Sequence, residues 1–220
     1  MEQFGGNDGF FQIIVGPVAS GKTSLLIKML TDPTLYGEKF QYVFVISPTG
    51  NKLGLKLPPG RFSKKLDIRW LKEKVEELNT AHSNKAEPPI EVLFVIDDQI
   101  GMVKKLEFDE FFTSFIFNRR HLLNNGIISV VITTQKYTML PARFRSNANK
   151  VTFFQLNKND LKLIWEELLT IPKEVFITLL RQVFPPDIAS RNTFTIDLAN
   201  KKLLDQNFIP MDFVIPEITF

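Results

Sequence analysis

The chain contains no cysteine. That excludes disulfides, thiolate metal centres and cysteine nucleophiles, and it suits a reducing compartment. Histidine is nearly as scarce, with two in all. His82 sits in a polar stretch with no partner spacing for a ligand and is expected at the surface; His121 is expected to be structural. No apolar run approaches the roughly 20 residues needed to span a bilayer. The opening MEQFGGNDGFF lacks the basic-then-apolar pattern of a signal peptide. The chain is therefore expected to be neither secreted nor membrane-spanning. A large charge of either sign is also missing: 27 basic residues face 24 acidic ones, for a net charge of +3. Such a balance allows a local basic surface for nucleic acid without demanding one. Internal repeats and low-complexity tracts are absent as well.

What is present is apolar bulk: 44% hydrophobic residues, including 21 phenylalanines, in 220 residues. That suffices for one large α/β domain with a sizeable core. Near the start, the β-branched run Ile13-Ile14-Val15 stops at Gly16. Gly16-Pro17-Val18-Ala19-Ser20-Gly21-Lys22-Thr23 then fits G-x-x-x-x-G-K-[ST], and Leu25, Leu26, Met29 and Leu30 follow at helical spacing. A glycine-rich loop between a buried strand and a helix start is where a phosphate cradle belongs. Its backbone N–H groups wrap phosphates, and the helix N-terminus adds unpaired donors and the positive end of a dipole. Residues Gly16 to Ser24 are thus expected to bind nucleotide, with Lys22 reaching the β/γ-phosphates and the Thr23 hydroxyl ligating Mg²⁺.

Further along, Tyr42–Ile46 reads as a second buried strand. The segment that follows carries Lys52, Lys56, Arg61, Lys64 and Lys65 among Gly and Pro, and reads as a basic loop. Its readings are a solvated surface or a nucleic-acid contact. Ile68, Leu71, Val75 and Leu78 have helical period. Glu91-Val-Leu-Phe-Val-Ile-Asp97-Asp98 is a continuous apolar run ending in two acids, a pattern expected of a central parallel strand whose C-terminal edge faces ligand. Asp97 is the candidate metal acid; Asp98, pointing the other way, is the candidate that orients the attacking water. Phe108 to Leu123 reads as one helix ending in Arg119-Arg120-His121. Cations there satisfy the helix dipole, or one is offered to a neighbouring subunit's γ-phosphate. Ile127 to Gln135 is another buried strand, and Gln135 is placed to sense the γ-phosphate. A loop with Pro141, Arg143 and Arg145 follows, then a strand over Val151–Leu156. Helices over Asp160–Leu169 and Pro172–Phe184 come next, then edge strands at Phe194–Leu198 and in the apolar tail Phe208–Phe220.

The ordered set GPVASGKTSLL, VLFVIDDQI, RRH, ISVVITTQ and LPARFRSN resembles the viral DNA-packaging ATPases of the FtsK/HerA superfamily, the poxvirus-like type of large DNA viruses and virophages. The resemblance covers about residues 10–156. It implies an α/β RecA-like P-loop NTPase: a mainly parallel central sheet flanked by helices, with an additional strand between the P-loop strand and the acid-bearing (Walker B) strand. It divides the chain into an ATPase core over 1–156 and a C-terminal helical and edge-strand extension of the same domain over 157–220. The activity implied is ATP hydrolysis coupled to translocation of double-stranded DNA into a capsid. The machine implied is a homo-oligomeric ring, a pentamer or hexamer, with a capsid or portal-vertex partner, in the host cytoplasm's virus factory or the virion. ATP and Mg²⁺ are the implied cofactors. Residue by residue, Lys22 and Thr23 take nucleotide and metal, Asp97 is the metal acid, Asp98 stands at the water-activating position and Gln135 is the sensor. Many related ATPases carry Glu where Asp98 stands. The arginine finger is open among Arg119, Arg120, Arg143 and Arg145.

Two rival readings use the same loop. In a small GTPase, Asp98-Gln-Ile-Gly101 serves as D-x-x-G and Asn157-Lys-Asn-Asp160 as N-K-x-D. Against that, Asp160 is expected to cap the helix beginning at Leu161, and Gln135 and the arginine loop go unexplained. In a nucleotide or nucleoside kinase, Arg143 and Arg145 clamp phosphates.

Overall fold

The computed structural model describes residues 9–49, 54–185 and 191–214. The chain divides into two compact units, one drawn from residues 1–11 and 23–133, the other from 12–22 and 134–220. Between β1 (Phe11–Val15) and α1 (Lys22–Thr31) runs the glycine loop.

The first unit carries β2 (Tyr42–Ile46), β3 (Phe62–Ser63), α2 (Ile68–Ala81), β4 (Ile90–Ile96), α3 (Ile100–Lys105), α4 (Glu110–Phe117) and β5 (Gly126–Thr134). Its strands pair in parallel, with Val45 beside Phe62, Ile46 beside Ile96 and Ile96 beside Ile132. Parallel strands covered on both faces need continuous apolar runs, and every residue from Val92 to Ile96 is fully buried. α2 turns Leu71, Val75 and Leu78 inward. Its N-cap is Asp67, whose carboxylate accepts the Arg69 N–H at 2.8 Å. Phe44 stacks on Phe94 with 4.7 Å between ring centroids, and Phe94 meets Phe115 of α4 edge-on at 5.0 Å. Each such ring contributes about 1.5–3 kcal/mol through burial.

The helix predicted over Phe108–Leu123 is shorter and broken. Asp109 starts α4 by accepting the Phe112 N–H at 2.8 Å, which leaves Phe108 outside and 80% exposed. Asn118 ends it, and a separate 3-10 turn covers Arg119–His121. Asparagine bonds readily to nearby backbone and favours helix ends over interiors. The basic segment is likewise not all loop, since Phe62 and Ser63 form β3; Lys52 lies outside the described residues.

In the second unit β6 (Lys150–Phe153) runs parallel to β1, with Val15 beside Phe153. α5 (Ala142–Arg145) precedes it, and α6 (Lys158–Leu168) and α7 (Lys173–Val183) follow. β7 (Phe194–Asp197), β8 (Lys202–Leu204) and β9 (Pro210–Val214) then add antiparallel neighbours. Pro172 is the N-cap of α7 and not its first helical residue. The tail expectation is met up to Val214; its remainder lies outside the described residues. A buried polar stripe crosses these strands: Gln12 Nε2 donates to Thr152 Oγ1 at 2.8 Å, and the Thr152 and Thr195 hydroxyls lie 2.9 Å apart. On the same pairing Lys150 Nζ stands 2.9 Å from Asp197 Oδ2, both side chains nearly wholly buried. A one-residue slip would leave those charges buried without each other, so the pair fixes the register.

Within the first unit the strand order is β3-β2-β4-β5, and within the second it is β1-β6-β7-β8-β9. The architecture is α/β with a mostly parallel sheet flanked by helices, as expected.

Candidate nucleotide site

The loop from Gly16 to Lys22 belongs to the second unit. Its entry is anchored by the Gly16 N–H donating to the Thr134 carbonyl at 3.1 Å, and it turns through a Ser20 N–H to Pro17 carbonyl bond of 3.2 Å. A Cβ on Gly16 would fall 2.4 Å from Ser20 Oγ and 2.7 Å from the Phe154 ring. No other residue fits there. Gly21 has φ +107°, a backbone that L side chains rarely adopt. Pro17, Val18 and Ala19 form the exposed rim, and Thr23 and Ser24 are exposed in the first turn of α1. Lys22 Nζ donates to the Gly16 carbonyl at 2.6 Å and the Pro17 carbonyl at 2.8 Å. The ammonium is thus folded over the loop's own main chain. Ser20 Oγ is buried with no hydrogen-bond partner, so the loop interior holds an unsatisfied hydroxyl. A buried polar atom of that kind costs about 1–3 kcal/mol unless something supplies its bond. A loop closed to side chains at Gly16 and carrying a lysine and a buried, unsatisfied hydroxyl suits a polyphosphate.

The acids lie in the first unit. Asp97 is 5% exposed, and each of its carboxylate oxygens receives one hydroxyl: Oδ1 from Thr133 at 2.7 Å and Oδ2 from Ser47 at 2.8 Å. Ser47 follows β2 and Thr133 lies near the end of β5, so the neighbouring strands aim the carboxylate. Asp98 is exposed and has φ +50°, and its N–H donates to Thr133 Oγ1 at 3.0 Å. The opposite directions expected for this pair are observed, one acid buried and the other exposed, but both lie past the end of β4 at Ile96, and the positive φ of Asp98 rather than strand alternation separates them. Ser47 and Thr133 were not singled out from sequence, although each is a polar residue closing an apolar strand. Among the described residues no cluster of three or more His, Asp or Glu could hold a metal ion by itself. Thr23 and Asp97 suit the alternative chemistry, in which Mg²⁺ keeps waters and takes few protein ligands plus substrate phosphates.

Gln135, in the second unit, directly follows β5 and is half-buried. The four arginines differ. Arg119 is 5% exposed and its Nη1 donates to the Ile116 carbonyl at 2.9 Å. Burial, helped by the neighbouring Arg120, lowers its pKa to about 10. Arg120 is exposed. Arg145 is buried and bidentate to Glu167, at 2.9 and 2.6 Å, with its guanidinium 5.3 Å from the Tyr137 ring centroid. The Glu167 hydrogen bonds hold its pKa above the usual arginine value against the opposing effect of burial. Arg143 is half-buried.

Two expectations change. The N-cap of α6 is Asn157, whose Oδ1 accepts the Asn159 and Asp160 N–H groups at 3.0 Å each. Asp160 is instead 1% exposed; Oδ1 accepts the Thr138 N–H at 2.9 Å and Oδ2 the Asn157 amide at 2.6 Å. His82, expected at the surface, is half-buried, with its Nε2 2.8 Å from the Tyr42 hydroxyl.

Comparison with solved structures bears on the fold these sites sit in. The chain superimposes on the genome-packaging NTPase B204 of Sulfolobus turreted icosahedral virus 2 bound to AMPPCP. The TM-score is 0.60 at 17% identity, over 94% of this chain and 100% of that one. The fold is shared. The same protein with AMP gives 0.63 at 16% identity, over 94% and 100%. B204 of Sulfolobus turreted icosahedral virus, described as a DNA-packaging ATPase, gives 0.61 at 15%, over 94% and 100%. No protein-family model and no curated protein matches the chain.

Proposed function

We propose that the protein is an ATP-driven translocase that packages double-stranded viral DNA, acting as a homo-oligomeric ring of five or six subunits docked on a capsid or portal vertex. The reading places it in the virus factory of the host cytoplasm or in the virion. The observation that carries it is the loop: closed to side chains at Gly16, with Lys22 laid over its carbonyls and a spare buried hydroxyl at Ser20. The shared fold with B204, named for genome packaging, supports the choice of substrate.

In this reading the loop N–H groups and Lys22 bind the triphosphate, Lys22 exchanging its two carbonyls for phosphate oxygens. Thr23 and Asp97 would hold Mg²⁺, which would supply positive charge against that of the phosphates. Ser47 and Thr133 keep the Asp97 carboxylate aimed, as outer partners do for metal ligands generally. Asp98 and Gln135 orient the water for in-line attack, and Asp98 accepts its proton. An arginine from the adjacent subunit, Arg120 or Arg143, stabilises the charge that develops on the transferred phosphoryl group; the buried Arg119, bonded to the Ile116 carbonyl, is set aside from the candidates.

The test is a hydrolysis screen. ATP turnover stimulated by duplex DNA, with GTP the poorer substrate and no transfer to small acceptors, is the expected result. Strong preference for GTP, or transfer to a nucleoside acceptor, refutes the reading.

A further inference from the structure

Thr133 is fully buried, yet its hydroxyl is wholly engaged, and with both acids at once. It donates its one proton to Asp97 Oδ1 at 2.7 Å and accepts the Asp98 N–H at 3.0 Å. The second bond matters because Asp98 has φ +50°, a conformation that costs a non-glycine residue energy unless its surroundings hold it. That backbone is what exposes the Asp98 side chain while Asp97, one residue earlier, stays buried. Asp97 has another hydroxyl, from Ser47, but the Asp98 N–H is given to Thr133. Valine has the same shape and can do neither job; serine can do both.

We propose that Thr133 is a positioning residue for hydrolysis, coupling the two acids: one hydroxyl fixes the metal-side carboxylate and the strained backbone that presents the water-side carboxylate. This rests on the ATPase reading above. Thr133 touches no substrate. It acts through Asp97 and Asp98, so losing it moves both acids, whereas losing the Ser47 hydroxyl moves only one.

The experiment compares full-length wild type with Thr133→Val, Thr133→Ser and Ser47→Ala, measuring ATP turnover against Mg²⁺ concentration and, separately, affinity for a fluorescent ATP analogue. Thr133→Val is expected to lose about 10–100-fold in kcat even at saturating Mg²⁺, the range seen when an outer partner is removed, with analogue affinity within about threefold. Thr133→Ser is expected to recover most of that loss. Ser47→Ala is expected to need more Mg²⁺ but to approach wild-type kcat once saturated. If Thr133→Val and Ser47→Ala behave alike, or if Thr133→Val turns over normally, the coupling role is overturned while the ATPase reading stands. A wild-type protein without ATPase activity overturns both. Should Thr133→Val fail to fold, Thr133→Cys replaces it: its weaker thiol donor should place turnover below that of Thr133→Ser, and equal turnover overturns the proposal.

Discussion

Replacing Asp160 by Ala separates a structural carboxylate from a base-reading one. In the GTPase alternative Asp160 closes an N-K-x-D motif and reads guanine. In the structure it is 1% exposed, and both oxygens are occupied, by the Thr138 N–H at 2.9 Å and the Asn157 amide at 2.6 Å. Asn157 in turn caps α6. Alanine would delete two hydrogen bonds to a charged acceptor, worth about 1.5 kcal/mol each at the low end, and would strand the Thr138 N–H. The expected loss is therefore about 3 kcal/mol, well above the ~1 kcal/mol of a simple cap. For a chain of this size that corresponds to a fall in melting temperature of roughly 6–12 °C. Urea unfolding followed by circular dichroism should show a lower midpoint at nearly constant slope. The ratio of ATP to GTP affinity should be unchanged. A variant as stable as wild type that has lost a strong GTP preference would refute the structural role and the packaging reading together.

Other perturbations test other parts of the site. Lys22→Ala should weaken ATP binding by removing a charge-assisted phosphate contact, while Asp97→Asn should spare much binding and abolish Mg²⁺-dependent hydrolysis; equilibrium binding and turnover separate the two, and wild-type turnover in both refutes the assignment. Replacing the exposed Lys56, Lys64 and Lys65 together by Ala should weaken duplex binding irrespective of sequence, each lost phosphate contact flattening the log–log salt slope by about 0.9; an unchanged slope makes the segment ordinary solvated surface. Arg120→Ala or Arg143→Ala should bind ATP yet hydrolyse it slowly, by about 10³-fold or more if the residue is the finger. Mixing that variant with Lys22→Ala should restore turnover at intermediate ratios, and no rescue at any ratio argues against a site completed in trans.

What was legible in the sequence is what local chemistry determines. The P-loop announces itself because Gly16 is demanded by the close approach of Ser20, four residues on, and Gly21 by its own φ of +107°. β2, β4 and β5 are apolar runs whose burial on both faces leaves no other reading. The paired acids just after β4 are legible as a pair, although what turns them apart is the positive φ of Asp98 and not the strand's alternation. What stayed hidden depends on residues distant in sequence. Ser47 lies 50 positions and Thr133 lies 36 positions from Asp97, and nothing local marks either as its donor. β3 has only two residues and exists because Val45 and Ile46 lie beside it. Asp160 looked like a cap because the helix start is local information, whereas its partner Thr138 is 22 positions away.

The arginines show the same division, and it narrows the search for a finger. Both double-arginine motifs spend one guanidinium inward. Arg119 satisfies the Ile116 carbonyl at the end of α4, a group a helix terminus leaves without an internal partner. Burial pulls its pKa to about 10, so it stays cationic at neutral pH even in that setting. In the second motif Arg145 pins α5 to α6 through a bidentate bond to Glu167, a geometry lysine cannot reproduce. Arg61, in the basic segment, is likewise engaged, 4.5 Å over the Tyr42 ring and 3.3 Å from the Gln41 carbonyl. A cation that must reach another molecule's phosphate cannot also be a buried anchor, because withdrawing it would leave a carbonyl or carboxylate stranded at a cost of several kcal/mol. Arg119 and Arg145 therefore hold their turns, and the exposed Arg120 and half-buried Arg143 are the positions those turns display. The anchor fixes the backbone from which its neighbour projects, so substituting Arg119 or Arg145 should disturb catalysis through stability, whereas substituting the exposed Arg120 should leave the melting temperature nearly unchanged and act through its charge.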